Sequence, residues 1–415
     1  MLPEGLVLSA VLDALVLDAP VPPESVLAAG GPGRAWPSDA GPPPGPLLGK
    51  EGESRAGARP PDLDAALAAT VAELDAPRLG ILLDGSPASA VLGLYVRARR
   101  PDALAVTLRW GDEAVVDDAG DVAAWLELPR RQVTLAPSLV ATWARLVDAR
   151  RAPVASLDSA AIAVAAQAVG VDRLLVPSDA GLFAPAPRGW PWRLGWAAAR
   201  QHYGVVPAGW EEWRRRLELR RELLDPALVA AHSGAVAAPP RAPLDPAWLA
   251  TLPAPEAQAR LLLATTVDGG LRPELAAASE LAGVAIAAPL LAPTVVAAAL
   301  ATPRRASALR RLAARRLPDD LLARPPRRRR GPAAQWLCGE PLPAPVAAAL
   351  APAALARVGL FDPVTVHYWR QLVTSDRPDP LHGPRLRMLM VATAVQRLES
   401  PPMVRESASG NSGPT

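Results

Sequence analysis

The feature that most constrains this chain is an alternation of short apolar runs and helical stretches between residues 79 and 176. Residues 79–83, 103–108, 131–135 and 173–176 have the length and the aliphatic content of strands. Residues 89–99, 118–126 and about 159–168 lie between them and have helical spacing. Strands that alternate with helices predict an α/β fold, a parallel sheet covered on both faces. Open sheets of this kind bind ligands at the carboxyl ends of their strands. Here those ends are the loops at 84–89, 109–116 and 177–183.

The rest of the chain is organised around that alternation. Residues 1–20 read as one or two short strands around 7–16. Residues 21–60 are rich in Pro, Gly and Ser and read as a linker or irregular cap. A helix is expected from about Asp62 to Leu74, with Asp62 or Asp64 as its cap and Leu63, Leu67, Val71 and Leu74 on one face. From about residue 189 the pattern is mostly helical: a charged amphipathic helix at 210–224, a linker at 236–243, helices from 246 to about 300, another at 304–316 and a last pair near 364–373 and 385–398. Trp190, Trp192, Trp196, Trp210 and Trp213 read as packing residues. Residues 399–415 form a Pro-, Ser- and Gly-rich tail, expected to be disordered.

Composition excludes several classes. With 415 residues the chain can bury a sizeable core. Its net charge of +3 is small for that length and does not by itself imply nucleic acid. The positive charge is concentrated at 304–330. The single cysteine, Cys338, rules out an intrachain disulfide framework, and one Cys with four His leaves no Cys-based zinc site. No metal ligand set is assigned. The N-terminus lacks the basic region of a signal peptide. The apolar stretch 6–16 is short for a membrane span, and Pro289 and Pro293 cut the stretch 284–301. A cytoplasmic protein without membrane or nucleic-acid partners is expected. His232 and Ser233 are sequence neighbours with no orienting acid, so a hydrolytic triad has no support.

The order of these features resembles the C-terminal synthetase domain of the asparagine synthetase family, related to beta-lactam synthetases and lasso peptide cyclases. The resemblance covers roughly residues 60–398 and rests on four stretches. Where the family has Ser-Gly-Gly-Leu-Asp-Ser after its first strand, this chain has Asp84, Gly85, Ser86, Pro87, Ala88 and Ser89. Residues 107–128 resemble the second strand and following acidic helix, with Asp117 and Asp118 near the family's Asp-Glu pair. Residues 177–183 keep the terminal Leu182 and Phe183, but Ala180 and Gly181 stand at the Asp-Glu positions, with Asp179 close by. Residues 281–330 keep Gly283, Val284, Pro289 and Leu290, while Ala287 and Ala292 replace the family's Arg and Asp. The stretch at 359–362 is typical of the family's C-terminal end.

The resemblance implies an ATP-pyrophosphatase-like core at about 61–188, a helical part at about 189–398 and a short remnant of a glutaminase-like domain with its linker at 1–60. Leu2 stands where the glutaminase has its nucleophilic cysteine, so glutamine hydrolysis is not expected. In the family, ATP and magnesium activate a carboxylate as an acyl-adenylate, which an amine then attacks. Asp84, Gly85, Ser86, Ser89 and Asp179 are the residues placed to line a nucleotide site, and Arg327, Arg328 or Arg329 would stand in for the family's Lys. Against this, Pro87 removes an N–H donor, Asp84 brings negative charge to a phosphate position, and Ala88 and Ala180 cannot hold magnesium. The expectation is a degenerate synthetase-like protein with a structural, regulatory or partner-binding role in a biosynthetic, natural-product pathway. It would act with a protein or peptide partner or as a homo-oligomer. The alternative is an ATP-dependent amide-bond-forming ligase, and only that reading calls for ATP and magnesium.

Overall fold

The computed structural model describes residues 8–17, 62–111, 117–179, 181–183, 196–207, 210–302, 305–318, 321 and 332–399. The architecture is mixed α/β, with a small parallel sheet at the centre and a helical C-terminal region. The strands are β1 (Leu79–Leu83), β2 (Leu104–Trp110), β3 (Arg130–Leu135), β4 (Arg173–Leu175) and β5 (Ala285–Ala287), in the order β3-β2-β1-β4-β5. Every pairing is parallel. Ile81 sits opposite Ala105 on one side and Leu175 on the other.

β1 is buried along its whole length because helices cover both faces of the sheet. Its alternation divides the interior in two. Leu79, Ile81 and Leu83 point into one core with helices α2 (Leu63–Glu73), α3 (Pro87–Arg99) and α4 (Asp118–Trp125). Leu82 points into the other, with Val106, Val133 and Leu174, against α5 (Leu139–Arg150) and α6 (Asp158–Val169). The helix Arg272–Ala282 packs on α5 and α6. The last helix, His382–Glu399, closes this second core with Met388, Leu389 and Val391.

Three expectations fail here. The stretch around 7–16 is not a pair of strands but a helix, α1 (Leu8–Leu17), which packs against α8 (Trp210–Leu223) and the last helix. Ala10, Val11, Ala14, Leu15 and Val16 are all fully buried, so no solvated stripe marks the helical period and its Val and Leu content imitates a strand. The helix α5 lies in a region given no element. It carries Leu139, Val140, Trp143, Leu146 and Val147 inward, and Trp143 Nε1 donates to the carbonyl of Val154 at 3.0 Å. Finally, 246–300 is not helical throughout. Gly283, at φ +64°, ends the preceding helix in a left-handed cap, and Pro289 bars another from starting earlier, so residues 285–287 extend and complete the sheet. The helical part therefore supplies a strand to the α/β core.

Other parts are more tightly held than expected. The 236–243 stretch is docked rather than a free linker: Val236 is buried and the Pro240 carbonyl accepts from Tyr203 Oη at 2.7 Å. Tyr203, on α7 (Trp196–Tyr203), packs edge-on against Trp210 and Trp213, which are packing residues as expected. Trp190 and Trp192 lie outside the described residues. Asp62 starts α2 without a side-chain cap bond, and Asp64 instead accepts from Tyr95 Oη and, at 2.7 Å, from Arg316. Between Ala254–Leu262 and Arg272–Ala282 the helix widens into a π-helical stretch, Leu263–Leu271. Arg150 Nη2 donates to the Gly269 carbonyl there at 2.6 Å. Among the described residues no helix is long and apolar enough to cross a membrane.

Candidate functional site

The chain leaves β1 toward β2 and β3, then returns to the other side of β1 for β4 and β5. The loops that leave β1 and β4 at their carboxyl ends therefore diverge, and the crevice between them is the topological switch point of the sheet. This brings Asp84, Gly85, Ser86 and Ser89 to one wall and Asp179 to the other, as the sequence places them. Arg327, Arg328, Arg329 and Ala180 lie outside the described residues.

The loop after β1 is closed on itself. Ser86 N–H donates to Asp84 Oδ1 at 2.9 Å. Ser86 caps α3: its hydroxyl accepts from Ser89 N–H at 3.2 Å, while Ser89 Oγ donates to the Ser86 carbonyl at 2.9 Å. Asp84 N–H points to Ser89 Oγ at 3.4 Å. Pro87 takes the first helical position and has no N–H. Asp84 is thus an Asx-turn acceptor rather than the cap of α3, and Ser89 is a fully buried structural residue.

Gly85 is required where it stands. Its φ is +78°, and a Cβ there would come within 2.8 Å of the Asp118 Cβ. The start of α4 is thereby pressed against the crevice floor. Asp117 caps α4 by accepting from Gly120 N–H at 2.9 Å and also pairs with Arg130. Arg130 Nε in turn donates to Thr107 Oγ1 at 3.1 Å. Asp117 is therefore committed to the helix start, and Asp118 is buried beside Gly85.

On the opposite wall Asp179 accepts from Gly181 N–H at 2.9 Å, and its own carbonyl receives Leu182 N–H at 2.7 Å. Burial pushes its carboxyl above the usual carboxylate range. The N–H groups of Gly181 and Phe183 pull the other way, and the charge of Asp84 adds to the rise.

The sequence reading missed Arg305. Its Nε donates to the Leu182 carbonyl at 2.8 Å and its Nη2 to the Pro255 carbonyl at 2.8 Å, so one guanidinium ties the loop after β4 to the helix Ala254–Leu262. Burial holds this guanidinium below its ordinary range. Nothing in sequence separates Arg305 from the other arginines of 304–330. Farther along the same edge, Trp110 at the end of β2 stacks on Trp336 with ring centroids 5.7 Å apart.

The residues present fit ATP with magnesium poorly. Phosphate binding at a helix start needs open N–H groups. Here the N–H groups of Ser86 and Ser89 are already bonded to side chains, position 87 has none, and an exposed carboxylate stands at the loop's entrance. Among the described residues no group of three or more His, Cys, Asp or Glu is arranged to hold a metal ion. The chain matches no protein-family model, and no curated protein matches it.

Proposed function

We propose that the chain is a degenerate, synthetase-like protein that has given up the ATP chemistry of the asparagine synthetase family and acts by binding a protein or peptide partner, as part of a cytoplasmic biosynthetic system. The observation that carries this reading is the closed loop from Asp84 to Ser89. It has the position of a phosphate cradle, between a buried strand and a helix, but the N–H groups of Ser86 and Ser89 are spent within the loop and Pro87 has none, which leaves the amides of Gly85 and Ala88 beside an exposed carboxylate. The strand order supports an ATP-pyrophosphatase-like ancestry, since the first strand lies at the centre with its loop at the switch point. The acidic walls favour a neutral or basic group of a partner over a phosphate.

The alternative is an ATP-dependent amide ligase. Arg305 is the observation that favours it, because a fixed cation at the crevice wall is what an acyl-adenylate would need. Calorimetric titration of ATP, with and without magnesium, into wild type and Arg328→Ala separates the two. The proposal expects no heat of binding at millimolar ATP. Magnesium-dependent binding that Arg328→Ala weakens would overturn it, establish the ligase reading and justify a screen for pyrophosphate release.

A further inference from the structure

The N-terminal helix α1 occupies a socket with recognition chemistry of its own, away from the crevice. Its apolar residues are enclosed by α8 and the last helix. Two arginines of α8, one turn apart and 2% and 1% exposed, read its carbonyls. Arg216 Nη1 donates to the Val16 carbonyl at 2.9 Å, and Arg220 Nη1 donates to the Leu12 carbonyl at 3.1 Å. The Val16 carbonyl is in the last turn of α1, where carbonyls lack intrahelical donors and a guanidinium meets the negative end of the dipole, while Leu12, one turn earlier, takes Arg220 as an additional donor. A third arginine reads the only charged side chain of α1. Arg241 donates its backbone N–H to Asp13 Oδ1 at 3.2 Å and its Nε to Oδ2 at 2.8 Å. The socket thus selects a short apolar helix by its carboxyl end and by one carboxylate at a fixed position.

The way α1 joins the rest of the chain is equally specific. It belongs to the core on one face of the sheet, and α2, the next described element, belongs to the core on the other. Residues 18–62, 45 in all, join them. A chain of that length spans up to about 150 Å when extended, several times the thickness of a helix–sheet–helix layer. A connection of that length does not by itself force α1 to fill the socket of its own chain. A ten-residue helix is also marginal by itself in water, so α1 is structured by its socket rather than before reaching it.

We propose that α1 is an exchangeable docking helix, and that the socket between α8 and the last helix accepts the α1 of a second copy, giving a reciprocally swapped homodimer. At low concentration the tether favours docking within one chain, because the local concentration of α1 is then in the millimolar range. At high concentration, or with a tether too short to pass around the sheet, the same contacts form between chains.

Charge exchange tests this on the full chain. Asp13→Arg and Arg241→Asp each mismatch helix and socket, and Asp13→Arg with Arg241→Asp in one chain restores the pair in reverse. Mixing the two single variants gives each α1 a matched socket only in the other chain. Native mass spectrometry and light scattering are expected to show a heterodimer at twice the 43.3 kDa of one chain, while the double variant stays monomeric. A mixture without heterodimer, beside a folded monomeric double variant, overturns the proposal. Deletion of residues 19–60 removes none of the described residues of the socket and is the second arm. Three connecting residues reach about 15 Å, too little to pass from one face to the other. The deleted chain is expected to be a dimer with wild-type helicity. A folded monomer of it overturns the proposal, whatever the charge variants do.

Discussion

The crevice between β1 and β4 and the socket of α1 both use backbone to answer charged side chains, with opposite signs and in opposite surroundings. In the crevice, carboxylates accept from backbone N–H groups: Asp84 from Ser86 and Asp179 from Gly181. In the socket, guanidiniums donate to backbone carbonyls: Arg216 to Val16, and Arg220 to Leu12 and Ala238. The crevice opens to solvent at Asp84, whereas Arg216, Arg220 and Asp13 of the socket are buried. The difference shows what each place accepts. A loop with two of its amides already bonded, one position without an N–H and a carboxylate at its entrance is a poor phosphate cradle. A buried site with several fixed donors needs its acceptors present, because a buried donor or acceptor without a partner costs far more than an exposed one.

The comparison breaks first at the socket if it is wrong. Arg220→Met removes the donor to the carbonyls of Leu12, Val236 and Ala238 in a fully buried place. A loss of roughly 3 kcal/mol is expected in urea unfolding, together with loosening of α1. A change below about 0.5 kcal/mol would mean that the polar contacts of the socket do not hold α1. The next largest effect belongs to the crevice floor. Gly85→Ala meets both the positive φ and the Asp118 side chain, and is expected to cost about 2 kcal/mol by the same measurement. Arg305→Ala frees the loop after β4 from the helix Ala254–Leu262. About 1 kcal/mol is expected, with faster amide hydrogen exchange at residues 181–183 and unchanged exchange in β1.

The smallest effect sharpens the electrostatic half of the comparison. The folded state raises the Asp179 carboxyl, so it binds that proton more tightly than the unfolded chain does. Its contribution is most favourable at acidic pH, below the unfolded value, and is lost as pH rises through the folded value. Asp179→Asn removes this loss. The variant is expected to be slightly more stable than wild type at pH 7, by less than about 1 kcal/mol, with the advantage shrinking toward pH 4. A variant less stable than wild type at pH 7 would show that the charge of Asp179 is wanted in the crevice.

The parts legible in sequence are those where one face is buried or a small residue has a single use. The bounds of β1 are legible because an apolar run of five residues, Leu79 to Leu83, ends at Asp84-Gly85, and α3 and α4 follow turn chemistry that local sequence carries. The place of Asp84 and Asp179 after the first and fourth strands is legible too, since both strands carry short aliphatic runs that end just before them. Illegible were elements buried on every side or defined only by distant partners. α1 carries no polar stripe, and β5 is three residues long and extended only because Gly283 and Pro289 bracket it beside β4. Arg305 and Arg220 are ordinary arginines in arginine-rich stretches. Their roles come from carbonyls tens to hundreds of residues away, which local periodicity does not encode.

The proposal that the loop after β1 does not receive phosphate is tested most directly at the backbone amides of that loop. The measurement is a titration of the labelled protein with ATP and magnesium to about 10 mM, which detects even a millimolar dissociation constant, following the amide resonances of Gly85, Ser86, Ala88 and Ser89. These four resonances are expected to stay in place while the nucleotide rises. Saturable shifts at these amides, with the Ser86 and Ser89 signals moving together as their bonds to Asp84 and to the Ser86 hydroxyl open, would contradict it.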